Sequence, residues 1–469
     1  MTAHRNRTTV MSPRVPHAPH ARHWPRALPA PRLPLLLMMV LLTGRVSSTM
    51  AVEEELAQPP VDPPAPAGAV ESPEDAESAE NASATSLTVV PPASVGMNAA
   101  RLAVIDEIVD EGLRRSRMPG CVVLVGHRGR IAYRRAFGFR QLQPHKVPMT
   151  IDTVFDMASL TKPIVTATSV MLLVEAGLVD VDRPVATYLP EFGVNGKDVI
   201  TVRQLLTHMG GLIPDNSLRD YQDGPEQAWE RIEKLETWIE PGSRFAYSDV
   251  GFLVLGRLVE RVSGQPLDEF ARQRIFAPTQ MRETGFRPPA ALRARCAVTQ
   301  MRDEQWMQGD VHDPRAWALG GVAGHAGLFS TADDLAQYCQ MLLEEGRWKG
   351  DVVLQPQTVR LMRAPRQVSS GLRTFGWDMR SPYSSNRGDL MSAAAFGRGG
   401  FTGTAMWIDP ELDLFVIFLS NRVHPDGKGS VNALAGRIGT VAAAAVSVER
   451  GFPGGDQAGD SNAEKSGHE

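Results

Sequence analysis

Three short stretches of this chain hold residue types that together could perform nucleophilic catalysis. In "FDMASLTKPIV", Ser159 stands three residues before Lys162. Residues three apart on a helical turn share a face, so the hydroxyl and the amine would point to one side. A serine at a helix start also lies at the positive end of the helix dipole, which favours a developing anion. A buried lysine gives up its proton readily and can help take that of the serine. Only 7 of the 49 basic residues are lysines. Alone, the motif equally describes a capped helix with an exposed lysine.

The second stretch is "PGSRFAYSDVGFLVLGRLVERVSG", in which Tyr247-Ser248-Asp249 precedes an amphipathic run. A tyrosine near a lysine can serve as a base; the same residues also suit a packed aromatic at a helix start. The third is "FGRGGFTGTAMWIDP". Here Arg398 precedes Gly399-Gly400, where backbone can approach a substrate closely. The amides of Ser159 and Phe401 could together hold an oxyanion. A Gly-rich turn into a strand is the plainer reading.

These residues need elements to hold them. "AARLAVIDEIVDEGLRRSR" repeats apolar residues at helical spacing (Leu102, Ile105, Ile108, Val109, Leu113). "GCVVLVG" and "RIAYRRAFG" flank a Gly-containing turn at 127–129 and read as a hairpin. A second hairpin pattern runs over Thr404–Ile408 and Asp413–Leu419, and "VNALAGRIGTVAAAAV" reads as a closing helix. The middle, about 160–390, reads as helical and loop-rich, with one helix running from the Ser159 turn to Gly177. Early and late strands are therefore expected to pair in one antiparallel sheet. The result is an α+β fold with a mostly helical second subdomain and a cleft between the two. Pocket shape is expected from loops at about 210–235 and 290–320.

The 469 residues suffice for a sizeable core, and the net charge of −4 offers no basic stripe for a nucleic-acid partner. The three cysteines, Cys121, Cys296 and Cys339, form no CxxC and read as core residues. His208, His312 and His325 stand in no HxH or HExxH pattern, so neither a metal nor another cofactor is expected. Asp333-Asp334 reads as the start of a helix. Residues 1–50 show a basic stretch, the apolar run "LPLLLMMVLLTG" and then small residues. That is the order of a secretory signal, or of an anchor where it stays uncleaved. Residues 51–96 and 449–469 are rich in small and polar residues and read as a disordered linker and tail, leaving 97–448 as the folded domain.

The order SxxK, a tyrosine about 90 residues on, and a cation-Gly-Gly before a late strand resembles the penicillin-recognising serine hydrolases. The resemblance covers essentially all of 97–448. It is closest to the class C β-lactamase, D,D-peptidase and carboxylesterase branch. "TVRQLLTHMGGL", "FAYSDVGFLVLG", "GGVAGHAGLFSTADDLAQY" and "GFTGTAMWIDP" fit that branch. It implies a β-lactamase/transpeptidase-like fold and roles for individual residues. Ser159 would be the acylated nucleophile, Lys162 its activator and Tyr247 the proton shuttle. Asp249 would stand where an asparagine usually contacts the lysine and the substrate. Arg398 would stand for the third-motif Lys or His, with Gly400 beside it in the substrate groove. The amides of Ser159 and Phe401 would form the oxyanion hole.

Two residues depart from the pattern. Asp249 is a carboxylate in place of an amide and would hold Lys162 more firmly in its charged form. Gly399 lacks the hydroxyl that normally helps hold a β-lactam carboxylate. The expectation is a secreted or periplasmic hydrolase acting through an acyl-enzyme on D-Ala-D-Ala-type peptides or small esters. A class C-like β-lactamase ranks below these. A non-catalytic peptidoglycan-binding protein is the rival of another class. The expected partner is a small molecule or a peptidoglycan peptide, and membrane anchoring is expected only through an uncleaved N-terminal segment.

Overall fold

The computed structural model describes residues 87–447. The signal or anchor assigned to 1–50, the linker up to 86 and the tail from 449 lie outside the described residues.

The expected first hairpin forms from β1 (Gly120–His127) and β2 (Arg130–Gln141). Arg128 and Gly129 turn between them with φ of 50° and 69°, the double positive-φ geometry that matches strand twist. The further strands of the sheet are β3 (Val147–Pro148), β4 (Arg366–Val368), β5 (Gly371–Arg373), β6 (Asp378–Arg380), β7 (Phe396–Gly399), β8 (Ala405–Asp409) and β9 (Leu414–Ser420). They lie in the order β4-β5-β6-β7-β8-β9-β1-β2-β3, with every pairing antiparallel. The early and late strands therefore meet where the sequence placed them, through β1 and β9, with Cys121 opposite Ser420 and His127 opposite Leu414.

Among the helices that cover the sheet or build the helical part are α1 (Ala99–Arg114), α2 (Thr168–Glu175), α3 (Asp249–Ser263), α4 (Ala332–Leu343) and α5 (Asn432–Ala445). The continuous apolar run of β1 has a simple cause, because both faces of the sheet are covered. Cys121, Val123 and Val125 pack with Leu102, Ile105 and Val109 of α1 and Ile438 of α5. Val122 and Leu124 face the larger core of the helical part, with Met171 of α2, Phe252 of α3 and Leu335 of α4. All three cysteines are free and buried.

Three expectations change. Residues 87–96 are ordered, not the end of a linker. The Val90 amide donates to the Ile131 carbonyl, the Ile131 amide to that of Thr88 (both 3.0 Å), and Val95 is buried. The apolar residues of this segment find a place on the sheet edge that its Ser- and Pro-rich neighbourhood concealed. The loop-rich middle also ends earlier than read, because 366–380 adds three strands to the sheet. The helix after Ser159 is not one α-helix. Ala158–Leu160 is a 3₁₀ turn and Lys162–Ala167 a π turn before α2 begins, and such π turns are frequent at functional sites.

One buried acid yields a stability prediction. Asp334 in α4 is raised by burial from 3.8 to about 7. One of its oxygens accepts from the Glu283 amide and the Thr284 hydroxyl (both 2.8 Å), the other from Gln337 Nε2 at 3.2 Å. A raised carboxyl stabilises the fold fully below about pH 4, and that contribution is lost as pH rises through about 7. Asp334→Asn removes this loss. Gln337 Oε1, buried without a partner among the described residues, can then accept from the new amide after a half-turn of its own amide. The variant is expected to melt higher than the parent at pH 8, by on the order of 1–2 kcal/mol. The gap should narrow at pH 5, and paired thermal melts check it.

Candidate active site

The turn that carries Ser159 is held on all sides. Ala158 has φ of 45°, a conformation that costs a non-glycine residue and persists only where its surroundings impose it. The restraints are local. Asp156 Oδ1 accepts from the Ala158 amide at 2.8 Å, and Thr161 Oγ1 donates to the Ala158 carbonyl at 2.7 Å. Leu328 closes the same knot by donating its amide to Thr161 Oγ1 at 3.2 Å. Burial raises the Asp156 carboxyl to about 6, against the Ala158 amide and the His312 amide, which donates to Oδ2 at 2.7 Å.

Ser159 and Lys162 do face one side. Lys162 Nζ donates to Ser159 Oγ at 3.2 Å and to the His325 carbonyl at 3.0 Å, and pairs with Asp249 Oδ1 at 2.5 Å. The side chain is fully buried (0 % exposed), with two hydrogen-bond acceptors and one carboxylate ion-pair partner around its ammonium. An unpaired charge here would be costly. Asp249 is mostly buried, which opposes ionisation. The Lys162 ammonium and His325 outweigh that and hold its carboxyl below the usual range.

Tyr247 arrives from 88 residues away, with its Oη 3.0 Å from Ser159 Oγ. Ser248 explains its placement. As the N-cap of α3 it accepts from the Gly251 amide at 3.1 Å and donates to the Ile213 carbonyl at 2.6 Å. Its amide donates to His208 Nδ1 at 3.2 Å. The Tyr247 ring lies between His208 (centroids 4.5 Å apart) and a stacked Tyr383 (5.3 Å). Burial, then Arg373, Arg398 and Lys162, push His208 well below its ordinary value, so a neutral imidazole supports the tyrosine. Lys162 Nζ and the Arg398 guanidinium lie 5.2 and 5.0 Å from the Tyr247 ring centroid. Negative charge on the phenolic oxygen would be stabilised between them.

The third stretch is clamped onto the first. Thr402 Oγ1 donates to the Asp156 carbonyl at 2.7 Å and Thr404 Oγ1 to that of Met157 at 3.3 Å. Gly400 must be glycine, because a Cβ there would come 2.5 Å from the Met157 carbonyl oxygen. Its amide donates to the Thr404 carbonyl at 2.7 Å, so the expected contact of Gly400 with substrate would be through its surface alone. The amides of Ser159 and Phe401 have no acceptor among the described residues, as an oxyanion hole requires. The Phe401 ring is 59 % exposed at the cleft mouth.

All seven residues singled out in the sequence therefore meet. The cavity beside Ser159, of about 420 Å³, is lined by Tyr247, Arg398, Gly399, Gly400 and Phe401, and also by Arg373, Asp378, Tyr383 and Asn386. None of that last group stood out in the sequence, because the stretch that carries them was read as part of the helical and loop-rich middle. A second cavity of about 350 Å³ touches Ser159 from the other side and is lined by Asp215, His312 and Asp313. The loops expected to shape the pocket thus account for one of the two cavities. The other is built by 373–386 and the start of α5.

Asp249, Asp313 and His325 offer ligand atoms within 4.8 Å of one another. Each is already committed. Asp249 pairs with Lys162, and His325 Nε2 lies 2.9 Å from Asp313 Oδ1. Asp313 also accepts from two amides of the helix it caps. A cation there would meet the Lys162 ammonium.

A hydroxyl in contact with a buried amine and a phenol, beside two amides unpartnered among the described residues, next to an antiparallel sheet, is the equipment of a serine hydrolase. The chain belongs to the β-lactamase family, whose profile matches residues 105–439. It is 30 % identical over 361 residues to the N-acetylmuramyl-L-alanine amidase of Bacillus subtilis (strain 168), covering 69 % of this chain and 81 % of that one. It is 30 % identical over 378 residues to an Escherichia coli (strain K12) protein named provisionally as a D-alanyl-D-alanine carboxypeptidase, covering 72 % and 86 %. The fold is that of a class C β-lactamase, with a TM-score of 0.61 at 17 % identity, covering 74 % of this chain and 97 % of that one.

Proposed function

We propose that this serine hydrolase works through an acyl-enzyme on Ser159, cleaving amides of peptidoglycan peptides whose leaving group carries a free carboxylate. One observation carries the reading. Ser159 Oγ lies 3.0 Å from Tyr247 Oη and 3.2 Å from Lys162 Nζ, at the edge of a cavity lined by Arg373 and Arg398. As Oγ bonds to the scissile carbonyl carbon, its proton passes to the phenolate oxygen of Tyr247, whose negative charge is held between Lys162 and Arg398 until the transfer makes it a neutral phenol. Asp249 occupies Lys162 in an ion pair, which moves the base role toward the tyrosine. The oxyanion rests on the amides of Ser159 and Phe401. When the C–N bond breaks, Tyr247 returns the proton to the leaving amine. Water then cleaves the ester by the same route in reverse.

A D-Ala-D-Ala peptide is the first substrate. Small esters, which need less activation, should also be turned over. The Bacillus relative favours a second reading with the same chemistry, the amide between muramic acid and L-alanine. A β-lactamase activity ranks below both because Gly399 lacks the family hydroxyl. Such substrates lie outside the cytoplasm, which agrees with the signal-like segment at 1–50.

A hydrolysis panel tests this: a D-Ala-D-Ala peptide, N-acetylmuramyl-L-alanine peptide, p-nitrophenyl esters and nitrocefin. The reading expects turnover of at least one of the two amides together with an ester, and slow or no turnover of nitrocefin. Hydrolysis of nitrocefin alone would reverse the ranking. Inertness toward the whole panel would favour a binding protein.

A further inference from the structure

We infer that Asn386 supplies the hydrogen-bond donor to the substrate carboxylate that Gly399 cannot, and so sets the preference for acids over their neutral analogues. This rests on the reading that the leaving group carries a carboxylate. The Asn386 side chain is buried (3 % exposed) yet lines the cavity beside Ser159. Its Oδ1 accepts from Trp407 Nε1 at 3.1 Å. Indole N–H is a donor only, so the carbonyl end of the amide must face Trp407 and the NH₂ end must face away.

The NH₂ end points at Gly399. A Cβ built on Gly399 would fall 2.2 Å from Asn386 Nδ2. The amide nitrogen thus occupies the space where a threonine or serine side chain at 399 would begin, and it has no partner among the described residues. The neighbouring glycine makes this arrangement possible. A Cβ on Gly397 would lie 2.3 Å from Trp407 Cδ2, so only glycine there lets the indole lie across β7 and anchor Asn386. The loss of a side chain at 399 and the donor that replaces it are one packing solution.

The surrounding charges suit an anion. Arg373 is fully buried (0 % exposed), with Nη1 on Asp378 Oδ1 at 2.9 Å and its Nε and Nη2 unpartnered among the described residues. Arg398 is 6 % exposed, donates through Nη1 to the Gly376 carbonyl at 3.3 Å, and leaves Nε unpartnered. Arg422 lines the same cavity, so three guanidinium groups against the one carboxylate of Asp378 leave it net positive. Buried unpaired donors of this kind discriminate strongly between a ligand that satisfies them and an analogue that does not.

The test uses inhibition, so it needs no peptide turnover. Inhibition constants of N-acetyl-D-alanine and of its carboxamide are measured against p-nitrophenyl acetate hydrolysis. Their ratio within one variant cancels any general change in rate. The parent should bind the acid better than the amide. In Asn386→Ala that ratio should fall about 10- to 100-fold, the loss of one hydrogen bond to a charged group. Gly399→Thr in the parent should clash with Asn386 and lower the ratio as well. Combined with Asn386→Ala it should restore part of the lost ratio. A ratio unchanged in Asn386→Ala, or a double variant no better than Asn386→Ala, overturns the assignment. An unchanged peptide result in the hydrolysis panel bears only on the proposed substrate.

Discussion

Ser159→Ala is expected to abolish covalent labelling by a fluorophosphonate or a fluorescent penicillin. It should also lower ester turnover by roughly 1,000-fold or more. The variant should fold. Ser159 is only partly buried, and the turn around it is held by Asp156, Thr161 and Leu328 rather than by its own hydroxyl. Lys162 keeps its bonds to the His325 carbonyl and Asp249, so no buried charge is orphaned. Mass spectrometry of the labelled chain reads the adduct directly. Undiminished ester turnover in this variant would place the nucleophile elsewhere.

The second large effect belongs to Tyr247→Phe. The ring is packed between His208 and Tyr383, and phenylalanine fills the same space. Only the hydroxyl, bonded to Ser159, is lost. Turnover should drop about 100- to 10,000-fold, the range for removing a positioned proton carrier. The melting temperature should change little, because one partly exposed hydrogen bond is worth about 1 kcal/mol. Pre-steady-state acylation measured beside a thermal melt separates the two effects. Acylation within a few-fold of the parent would remove Tyr247 from the proton path and leave Lys162 to act alone.

The residues brought together at the cleft were legible in the sequence to different degrees. Ser159 and Lys162 share a face because any helical turn places residues three apart on one side. That holds even though the turn is 3₁₀ and then π. Tyr247 was visible only through its context, since nothing local tells a tyrosine which hydroxyl it will meet. Its position depends on Ser248 capping α3 against the His208 loop. Gly400 and Phe401 stood out because a Gly-Gly before a strand marks close approach, and the Met157 carbonyl supplies that approach. The order of residues 87–96 was hidden by composition. A few apolar residues in a Ser- and Pro-rich stretch look like linker until a sheet edge is there to receive them.

The sequence by itself determined what is local and periodic. The apolar run of β1, the two hairpins, the amphipathic helices and the SxxK spacing follow from patterns of 2 and 3.6 residues that side-chain direction imposes. It also showed that Gly399 has no hydroxyl. What only the tertiary structure decided is what stands in that space. Asn386 comes from a separate segment, and its orientation is set by an indole on β8 that a glycine on β7 admits. Arg373 is likewise ordinary in the sequence and becomes a buried, half-paired cation only once Asp378 and the cavity wall surround it. Such properties belong to no residue alone, because burial and unmet hydrogen bonds exist only after distant segments have closed around a side chain.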